Sequence, residues 1–307
     1  MPELPEVETV RLQLNKALKG LIISGVEVLK EKQFIGDQKL IIGEKITSVG
    51  RRAKIILIEL ENGDILAVHL KMTGQLIYRE STKLQVPSTK QDKKTGRYDV
   101  DNLPNKYTRI ILSFNDDSKL YFNDLRTFGW MRIVNSEKFL PSLGSFGGAG
   151  KDQKSEIEKL IGHLGPEAID EKTFTLEYFQ NILSKSKKPI KLVIMDQEKV
   201  AGVGNIYANE ALFMAGIDPR RKADSLKTSE IKKLYQAIID VLLEAIKFNG
   251  TSDRDEAFRQ IDGQKGSYQQ HLRVYARAKQ ECPVCGGEIK KIKIGGRGTF
   301  YCEKCQK

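Results

Sequence analysis

The sequence has no long hydrophobic run, and this absence excludes one class of protein. No apolar stretch in its 307 residues approaches the roughly 18 to 20 residues that a membrane-spanning helix needs. The N-terminus carries Pro2, Glu3 and Glu6 where a secretory signal peptide has basic residues followed by an apolar core. We therefore expect a cytoplasmic protein without a membrane partner.

Cysteine is also scarce, and its placement limits what it can do. All 4 cysteines lie between residues 282 and 305, so disulfides could staple only the tail of the chain. They form two CxxC pairs, Cys282 with Cys285 and Cys302 with Cys305. Each pair can offer two thiolates from a tight turn to one tetrahedral ion, which favours a single structural Zn2+ over two redox motifs or two disulfides.

Acidic residues are outnumbered by basic ones. The chain has 40 Asp and Glu against 51 Lys and Arg, and a net charge of +11 with a pI near 9.3 is typical of a protein that binds nucleic acid. The excess is concentrated after residue 271, where basic and apolar residues alternate over 290–300. Arg297 lies between two glycines and could approach a phosphate closely. A solvated basic hairpin explains this stretch equally well.

The order of helical and strand patterns predicts an α+β protein of several domains. Helical spacing of apolar residues over 2–19 is followed by short β-type runs with turn signals, which indicate a β-sandwich or barrel. Predicted strands cover 21–29, 40–48, 54–60, 64–70, 74–78, 109–114 and 119–122. Helical periodicity then returns from Glu156 to Lys247. The predicted domains are an N-terminal β-sandwich over 1–143, a glycine-rich linker over 144–155, a helical domain over 156–270 and a zinc finger over 271–307.

The N-terminus offers an unusual nucleophile. Removal of Met1, which is efficient before a small residue, would leave the secondary amine of Pro2 at the chain end. An α-amino group titrates at about 7.7 to 8, so part of it is unprotonated at neutral pH and can attack the C1′ of a damaged nucleotide. Glu3 could serve as acid and base, and Glu6 could orient the amine. Taken alone, these residues also fit an ordinary helix start whose acids suit the helix dipole.

Motifs along nearly the whole chain resemble one family. They are Pro2–Thr9, Arg51–Lys54, His69–Gly74, Asp124–Gly129, Leu164–Glu167, Gly202–Ala208 and Gly296–Thr299, the last just before the second CxxC pair. In this order they resemble formamidopyrimidine-DNA glycosylase, also called Fpg or MutM.

The resemblance implies an architecture and a reaction. The architecture is an N-terminal β-sandwich with flanking helices, a helical domain with a helix-two-turn-helix motif, and a C-terminal β-hairpin zinc finger. The reaction is excision of oxidised purines, 8-oxoguanine and formamidopyrimidines, from double-stranded DNA through a Schiff base on Pro2, with β,δ-elimination at the abasic site. Glu3, Glu6, Lys54 and Arg297 complete the implied catalytic set. A monomer of bacterial type, associated with the nucleoid through its DNA, is expected on the same ground.

The resemblance also implies which residues contact DNA. Because flipping a nucleotide leaves a hole in the base stack, Met72 would fill that hole, Arg126 would pair with the orphaned cytosine and Phe128 would stack on a neighbouring base. Other DNA contacts are expected of His69, Arg109, Lys191, Asn205 and Tyr268. Without the family context, Met72 and Phe128 fit core positions, Lys54 a solvated strand residue and Lys191 an exposed lysine.

Two glycine-bearing segments carry further expectations. The segment 202–205 is expected to form a tight turn with exposed amides and with Asn205 aimed at phosphates. It lacks the third glycine of a dinucleotide fingerprint, and we expect no organic cofactor. The segment 262–268 resembles the family's loop over the extruded base, although Lys265 and Ser267 differ from residues common there. The loop over 79–107 is longer than usual in the family.

Two other functions remain open from the sequence. An endonuclease VIII-like glycosylase for oxidised pyrimidines shares the Pro2-Glu3 start but typically continues with glycine where Leu4 stands here. A non-catalytic, zinc-containing DNA-binding protein explains the charge and the cysteines, but it leaves Pro2, Glu3 and Glu6 unexplained.

Overall fold

The computed structural model describes residues 1–81, 100–135, 155–252 and 258–307. The chain forms two compact units. The first contains Met1–Pro2, Glu6–His163 and Ser252–Gly266, and the second contains Glu3–Pro5, Leu164–Thr251 and Ser267–Lys307. In the described ranges, no helix is both long and apolar enough to cross a membrane.

The predicted N-terminal helix is confirmed as α1, Leu4–Leu18. Its residues Val7, Val10 and Leu14 lie on one face and are buried in the core of the first unit. The helix stops just before Gly20, whose φ of +92° is a conformation that glycine adopts without steric cost.

The first unit is built on two packed sheets. In chain order its strands are β1 (Ile23–Val28), β2 (Phe34–Ile35), β3 (Ile46–Arg52), β4 (Ile55–Leu60), β5 (Ile65–His69), β6 (Gly74–Arg79), β7 (Thr108–Phe114), β8 (Lys119–Asp124) and β9 (Trp130–Val134). One sheet has the order β1-β7-β8-β6 and the other β2-β9-β5-β4-β3. All neighbouring strands are antiparallel except β2 and β9. Side chains such as Ile56 and Phe122, one from each sheet, share a single core, which confirms the predicted β-sandwich.

The strand predictions are wrong in two respects. The apolar run predicted as a strand over 40–48 is a strand only from Ile46 onward, and β3 continues to Arg52. The earlier part of the run begins in a 3-10 turn at Gln38–Leu40 and leaves Leu40 and Ile42 exposed. It meets the start of β1 through separate backbone hydrogen bonds, such as that from the Ile23 N–H to the Glu44 carbonyl at 2.9 Å, and does not form a continuous strand ladder. The prediction also missed β9 and the two-residue strand β2, which is too short to show a period.

The helical stretch predicted from Glu156 to Lys247 is confirmed. It contains α2 (Glu156–Ile161), α3 (Leu176–Ser184), α4 (Ile190–Ile194), α5 (Asn205–Ala215) and α6 (Thr228–Lys247). The apolar face of α6, with Ile231, Leu234, Ile238 and Leu242, is buried in the core of the second unit. That spacing of three or four residues places one side of the helix against its neighbours.

Two segments that the sequence grouped with the helical domain lie in the first unit. Residues 156–163 belong to the first unit because Ile157 packs with Ile55, Ala67 and Val134 of the sheet. The segment Ser252–Gly266 also belongs there, since its apolar side chains join the sandwich core. Of the predicted linker 144–155 only Ser155 is described, and it caps α2. Most of the long loop over 79–107 likewise lies outside the described residues.

The tail forms the predicted hairpin of β10 (Ile289–Ile294) and β11 (Arg297–Cys302). Gly295 and Gly296 turn the chain between the strands with φ of +54° and +78°. Phe300 of β11 packs with Val274 and Phe213 in a small separate core. The fold class predicted from the sequence, an α+β protein with a β-sandwich, a helical unit and a C-terminal hairpin, is confirmed.

Candidate functional site

Glu3 lies at the N-terminus of α5 in the second unit. The residue is 2% exposed, and its carboxylate accepts the Ile206 N–H on Oε1 at 2.8 Å and the Tyr207 N–H on Oε2 at 3.4 Å. Gly204 makes room for it, because a Cβ at this position would lie 2.3 Å from the Glu3 Cδ. The helix dipole and the otherwise unsatisfied amides of the first turn hold this carboxylate in place.

This arrangement corrects the expectation for the turn at 202–205. The turn is tight, with Gly202 at a φ of +96°, but the amides at the start of α5 are used by Glu3 and are not exposed. A carboxylate of the same chain therefore occupies the anion position that the sequence suggested for phosphate. Within the described part of the chain the buried Oδ1 of Asn205 has no hydrogen-bond partner, and its role toward phosphate stays a prediction.

Lys191, on α4, is not the exposed lysine that its sequence neighbours suggest. It is 0% exposed, and its Nζ donates to the carbonyl of Gly298 at 3.0 Å and to the Thr299 hydroxyl at 2.8 Å. Burial lowers the pKa of Lys191 to about 7, against the raising effect of Glu3, while Arg297 lowers it further. Lys191 therefore anchors β11 through these two hydrogen bonds, and its expected contact with phosphate stays a prediction.

The hairpin so held presents Arg297 to solvent. Arg297 is exposed and directly follows the glycine turn of the hairpin. A second anchor lies beside Lys191, where the Phe300 N–H donates to the Asn209 Oδ1 of α5 at 2.8 Å. The side chain predicted to meet a phosphate thus extends from a fixed support.

In the first unit, Lys54 lies in the turn between β3 and β4 and not on the strand where the sequence placed it. Only 6% of Lys54 is exposed, which excludes the solvated residue that it resembled, and Ala53 before it has a φ of +51°. Arg51 supports the turn by donating from Nη1 to the Ala53 carbonyl at 2.8 Å and from Nε to Glu8 at 2.8 Å. Glu6, on the same helix as Glu8, is also buried.

The environment of Glu8 explains how this support is maintained. Burial acts to raise the pKa of Glu8, but hydrogen bonds from Arg11 and Arg51 outweigh it and lower the pKa overall. The carboxylate therefore stays charged and keeps Arg51 against the turn that carries Lys54.

His69, at the end of β5, is held as a neutral imidazole. Burial lowers the pKa of His69 to about 3, and the charges of Lys71 and Lys54 act in the same direction. Its Nδ1 accepts the Lys71 N–H at 2.9 Å, so the ring proton lies on Nε2. The ring therefore offers an uncharged donor from Nε2, which suits a hydrogen bond to a phosphate oxygen.

The three residues expected at the base stack lie on two loops of the first unit. Met72 is half-buried, whereas Arg126 and Phe128 are exposed, Phe128 by 55%. The Arg126 guanidinium lies 5.3 Å from the centre of the Phe128 ring. The core position that Phe128 resembled is excluded, since more than half of a large aromatic side chain faces solvent.

Two other predicted DNA contacts have partners inside the protein. Arg109 donates from Nε to the Asp124 carbonyl at 2.9 Å and from Nη1 to the Lys106 carbonyl at 3.1 Å. Tyr268 is 0% exposed, and its hydroxyl donates to the Glu244 Oε2 at 2.9 Å. Burial raises the pKa of Tyr268, and the Glu244 carboxylate raises it further. The side chain of Tyr268 belongs to the core of the second unit, and its expected contact with DNA stays a prediction.

The four cysteines form one cluster that fits a zinc ion. Their sulfur atoms all lie within 4.8 Å of one another. The Sγ atoms of Cys282 and Cys305 are 3.8 Å apart and those of Cys285 and Cys302 are 3.5 Å apart. A tetrahedral ion with Zn–S bonds of about 2.3 Å separates its sulfurs by about 3.8 Å, and a disulfide needs about 2.05 Å. The cluster therefore could hold one structural Zn2+, and the disulfide alternative does not fit.

Two buried carboxylates, Glu210 and Asp124, were not predicted from the sequence. Glu210 of α5 is completely buried and accepts the N–H groups of Arg273, Val274 and Tyr275 at 2.8 to 3.0 Å. Asp124, also completely buried, lies between the two loops of the base-stack residues. The sequence does contain a signal for each of them. Glu210 is an acid within the apolar run of α5, and Asp124 is the acid that begins the Asp124–Gly129 motif.

Comparison with protein families matches three models along the chain. The formamidopyrimidine-DNA glycosylase N-terminal domain matches residues 1–131, the formamidopyrimidine-DNA glycosylase H2TH domain matches residues 164–257, and the zinc finger found in FPG and IleRS matches residues 279–307. The formamidopyrimidine-DNA glycosylase of Pelotomaculum thermopropionicum is 41% identical over 100% of this chain and 99% of its own length.

Solved structures give the same result. The MutM (Fpg) protein of Thermus thermophilus superposes with a TM-score of 0.80 at 34% identity, covering 99% of this chain and 98% of that one. Lactococcus lactis Fpg, solved with DNA containing an abasic site, gives a TM-score of 0.81 at 32% identity over 100% of both chains. Other structures of the Lactococcus protein hold DNA that contains Fapy-dG or an oxidised pyrimidine.

Proposed function

This chain belongs to the formamidopyrimidine-DNA glycosylase family of DNA repair proteins, and on that premise we propose that it excises oxidised purines from duplex DNA and then cleaves the strand. The substrates are 8-oxoguanine, formamidopyrimidines and abasic sites. The partner is double-stranded DNA, in line with the DNA complexes of the Lactococcus relative. The protein acts as a monomer in the bacterial cytoplasm.

The nucleophile we propose is the amine of Pro2 after loss of Met1. Its attack forms an N–C1′ bond and breaks the bond from C1′ to the damaged base, which leaves with a proton. The sugar ring then opens at C1′–O4′, O4′ takes a proton, and a cationic iminium joins Pro2 to C1′. Loss of the C2′ proton expels the 3′ phosphate, and loss of the C4′ proton then expels the 5′ phosphate.

The observation that carries this proposal is the held carboxylate of Glu3, the residue directly after Pro2. Two amides of α5 fix its orientation, as a general acid and base requires. It delivers the proton to O4′ and takes the proton from C2′. Glu6 orients the amine, and Lys54, His69 and Arg297 bind phosphate oxygens along the strand.

The stacking residues complete the proposal. Once the damaged nucleotide is flipped out, Met72 enters the gap, Arg126 hydrogen-bonds the orphaned cytosine and Phe128 stacks on a neighbouring base. The exposure of Arg126 and Phe128 supports this assignment, because large side chains that face solvent are available to bases.

Borohydride trapping tests the chemistry. We expect mature protein that begins at Pro2 to form a covalent adduct with a duplex containing an abasic site, on the N-terminal peptide. A matched variant that retains a residue before Pro2 should form none, because its proline nitrogen is an amide. Failure to trap, or an adduct on an internal lysine, would contradict the proposal and would favour a non-catalytic DNA-binding protein.

Substrate choice needs a separate test, because the endonuclease VIII-like alternative shares the same nucleophile. Turnover should be faster on a duplex with 8-oxoguanine opposite cytosine than on one with thymine glycol. Leu4, where endonuclease VIII-like enzymes typically have glycine, supports the purine assignment. A strong preference for thymine glycol would contradict it.

A further inference from the structure

One buried carboxylate joins the two loops that carry Met72, Arg126 and Phe128. Asp124 ends β8 and is 0% exposed. Its Oδ1 accepts the Thr73 hydroxyl and, at 3.2 Å, the Arg126 N–H. Its Oδ2 accepts the Gly129 N–H at 2.7 Å and the Gln33 side-chain amide at 2.9 Å. Both oxygens are therefore occupied by donors from both loops and from a third segment.

Thr73 links the loops a second time. Its hydroxyl donates to Asp124 and accepts the Arg126 N–H at 3.0 Å. The residue after Met72 and the backbone of Arg126 thus share one hydrogen-bonded junction. A shift of either loop would break bonds to a buried charged group, which costs more than the loss of a surface contact.

The backbone of both loops needs such a support. Lys71 and Thr127 have φ of +51° and +56°, a conformation that residues other than glycine rarely adopt. Such residues persist when the surrounding structure holds them. The loops are also tightly packed, since a Cβ at Gly74 would lie 2.5 Å from the Leu70 carbonyl oxygen and one at Gly129 would lie 2.7 Å from the Phe122 ring.

We propose that Asp124, acting through the Thr73 hydroxyl, is a positioning residue that fixes the two base-stack loops relative to each other before DNA binds. The inference rests on the proposed function, because it assigns Asp124 to the step in which the gap left by the flipped nucleotide is filled. Asp124 touches neither the nucleophile nor the substrate. Its effect is confined to substrates that have a base stack to open.

A matched pair of variants at Thr73 tests the inference. Thr73→Val keeps the shape and volume of the side chain but removes the hydroxyl, whereas Thr73→Ser keeps the hydroxyl. The readout is the rate of abasic-site cleavage on duplex DNA divided by the rate on the same strand without its complement, since a single strand has no stack to fill. Thermal unfolding midpoints of both variants and wild type establish that each is folded.

We expect Thr73→Val to lower the duplex to single-strand ratio about tenfold, as the loss of one hydrogen bond to a charged group predicts, and Thr73→Ser to restore it. Asp124→Asn is the second variant. Its amide places an N–H against a backbone N–H of either Arg126 or Gly129, so the same ratio should fall at least as far.

A third measurement separates positioning from a general loss of structure. Fluorescence of 2-aminopurine placed beside the abasic site should rise on binding to wild type and rise less with Thr73→Val. An unchanged cleavage ratio, or an equal loss on duplex and single strand, would overturn the inference while the enzyme remains active. Wild type without activity on either substrate would instead overturn the proposed function, and this inference with it.

Discussion

His69 and Lys191 show how burial changes what a basic side chain can do. Both lie among residues expected at the DNA, yet His69 has a pKa of about 3 and Lys191 a pKa of about 7. In both cases the largest cause is the loss of water around the charged form. His69 is therefore a neutral donor at all ordinary pH values, and Lys191 changes its charge near neutrality.

The neutral state of His69 predicts a pH-independent contribution to DNA affinity. We expect the ratio of the wild-type and His69→Gln affinities for an abasic-site duplex to stay constant from pH 5.5 to 8. A histidine that bound phosphate as a cation would lose its advantage as the pH rises through about 6.5. Fluorescence anisotropy across that pH range distinguishes a neutral from a cationic His69. A ratio of wild-type to His69→Gln affinity that falls as the pH rises would contradict the neutral assignment.

The burial of Lys191 predicts that the free energy of unfolding rises with pH. Its pKa falls from 10.5 in the unfolded chain to about 7 in the fold, so the unfolded state binds more protons between these pH values and stability rises with pH. Relative to Lys191→Met, wild type should gain up to about 1.4 kcal/mol of unfolding free energy per pH unit between pH 7 and 10.

Chemical denaturation at several pH values measures this gain. Lys188→Met is the matched control, since Lys188 is an exposed lysine three positions earlier. If Lys191→Met behaves in the same way as this control, the buried amine does not titrate near neutrality.

At the scale of elements, two supports each hold one residue of the proposed site. The N-terminus of α5 holds Glu3, and the hairpin of β10 and β11 holds Arg297. α5 fixes Glu3 through its first amides, and Lys191 with Asn209 fixes the hairpin from which Arg297 extends. In both cases a helix serves as a rigid support for a side chain that belongs to a distant part of the sequence.

The close contact between Gly204 and Glu3 predicts that adding one methyl group at position 204 lowers glycosylase activity. Gly204→Ala places a Cβ within 2.3 Å of the Glu3 Cδ, so the carboxylate must move and glycosylase activity should fall by at least about 100-fold. Gly25→Ala, whose Cβ would meet only Ser113 at an ordinary 3.9 Å, is the control. Single-turnover assays should show full activity for Gly25→Ala; retained activity in Gly204→Ala would mean that the position of Glu3 is not critical.

The hairpin of β10 and β11 is expected to depend on the zinc ion that the four cysteines could hold. We expect one zinc per chain by atomic absorption, and we expect Cys302→Ser or a strong chelator to release it and weaken duplex binding, because the loop with Arg297 then loses its fixed ends. Limited proteolysis should cut the chelated protein within 290–300 and spare the zinc form. Full DNA affinity without zinc would show that the hairpin is not part of the interface.

The whole molecule carries a net charge of +11, which predicts how DNA binding responds to salt. Affinity should fall steeply as salt rises, because each phosphate contact releases a counterion. Arg297→Ala should reduce the slope of log affinity against log salt by about one, the effect of one lost phosphate contact. Arg297→Lys keeps the charge and should keep the slope; equal slopes for all three proteins would exclude a phosphate contact at Arg297.

Features specified by nearby residues could be predicted from the sequence. The α1 helix, most strands of the sandwich, the tail hairpin and the zinc ligands all follow from local spacing, because the hydrophobic period or the CxxC pair lies within a few residues. The family also followed from short motifs in order. The two-residue strand β2 is too short to show a period, and neither it nor the start of β3 could be predicted in this way.

Only the tertiary structure decided what surrounds each candidate residue. The sequence determined that Glu3 follows Pro2, but the amide that holds its carboxylate lies 203 positions away. In the same way, the burial of Lys191 and Tyr268, the exposure of Phe128 and the four donors around Asp124 depend on distant segments brought together by folding. Burial and hydrogen bonding set whether a side chain is charged, neutral or available to DNA, and no local pattern contains that information.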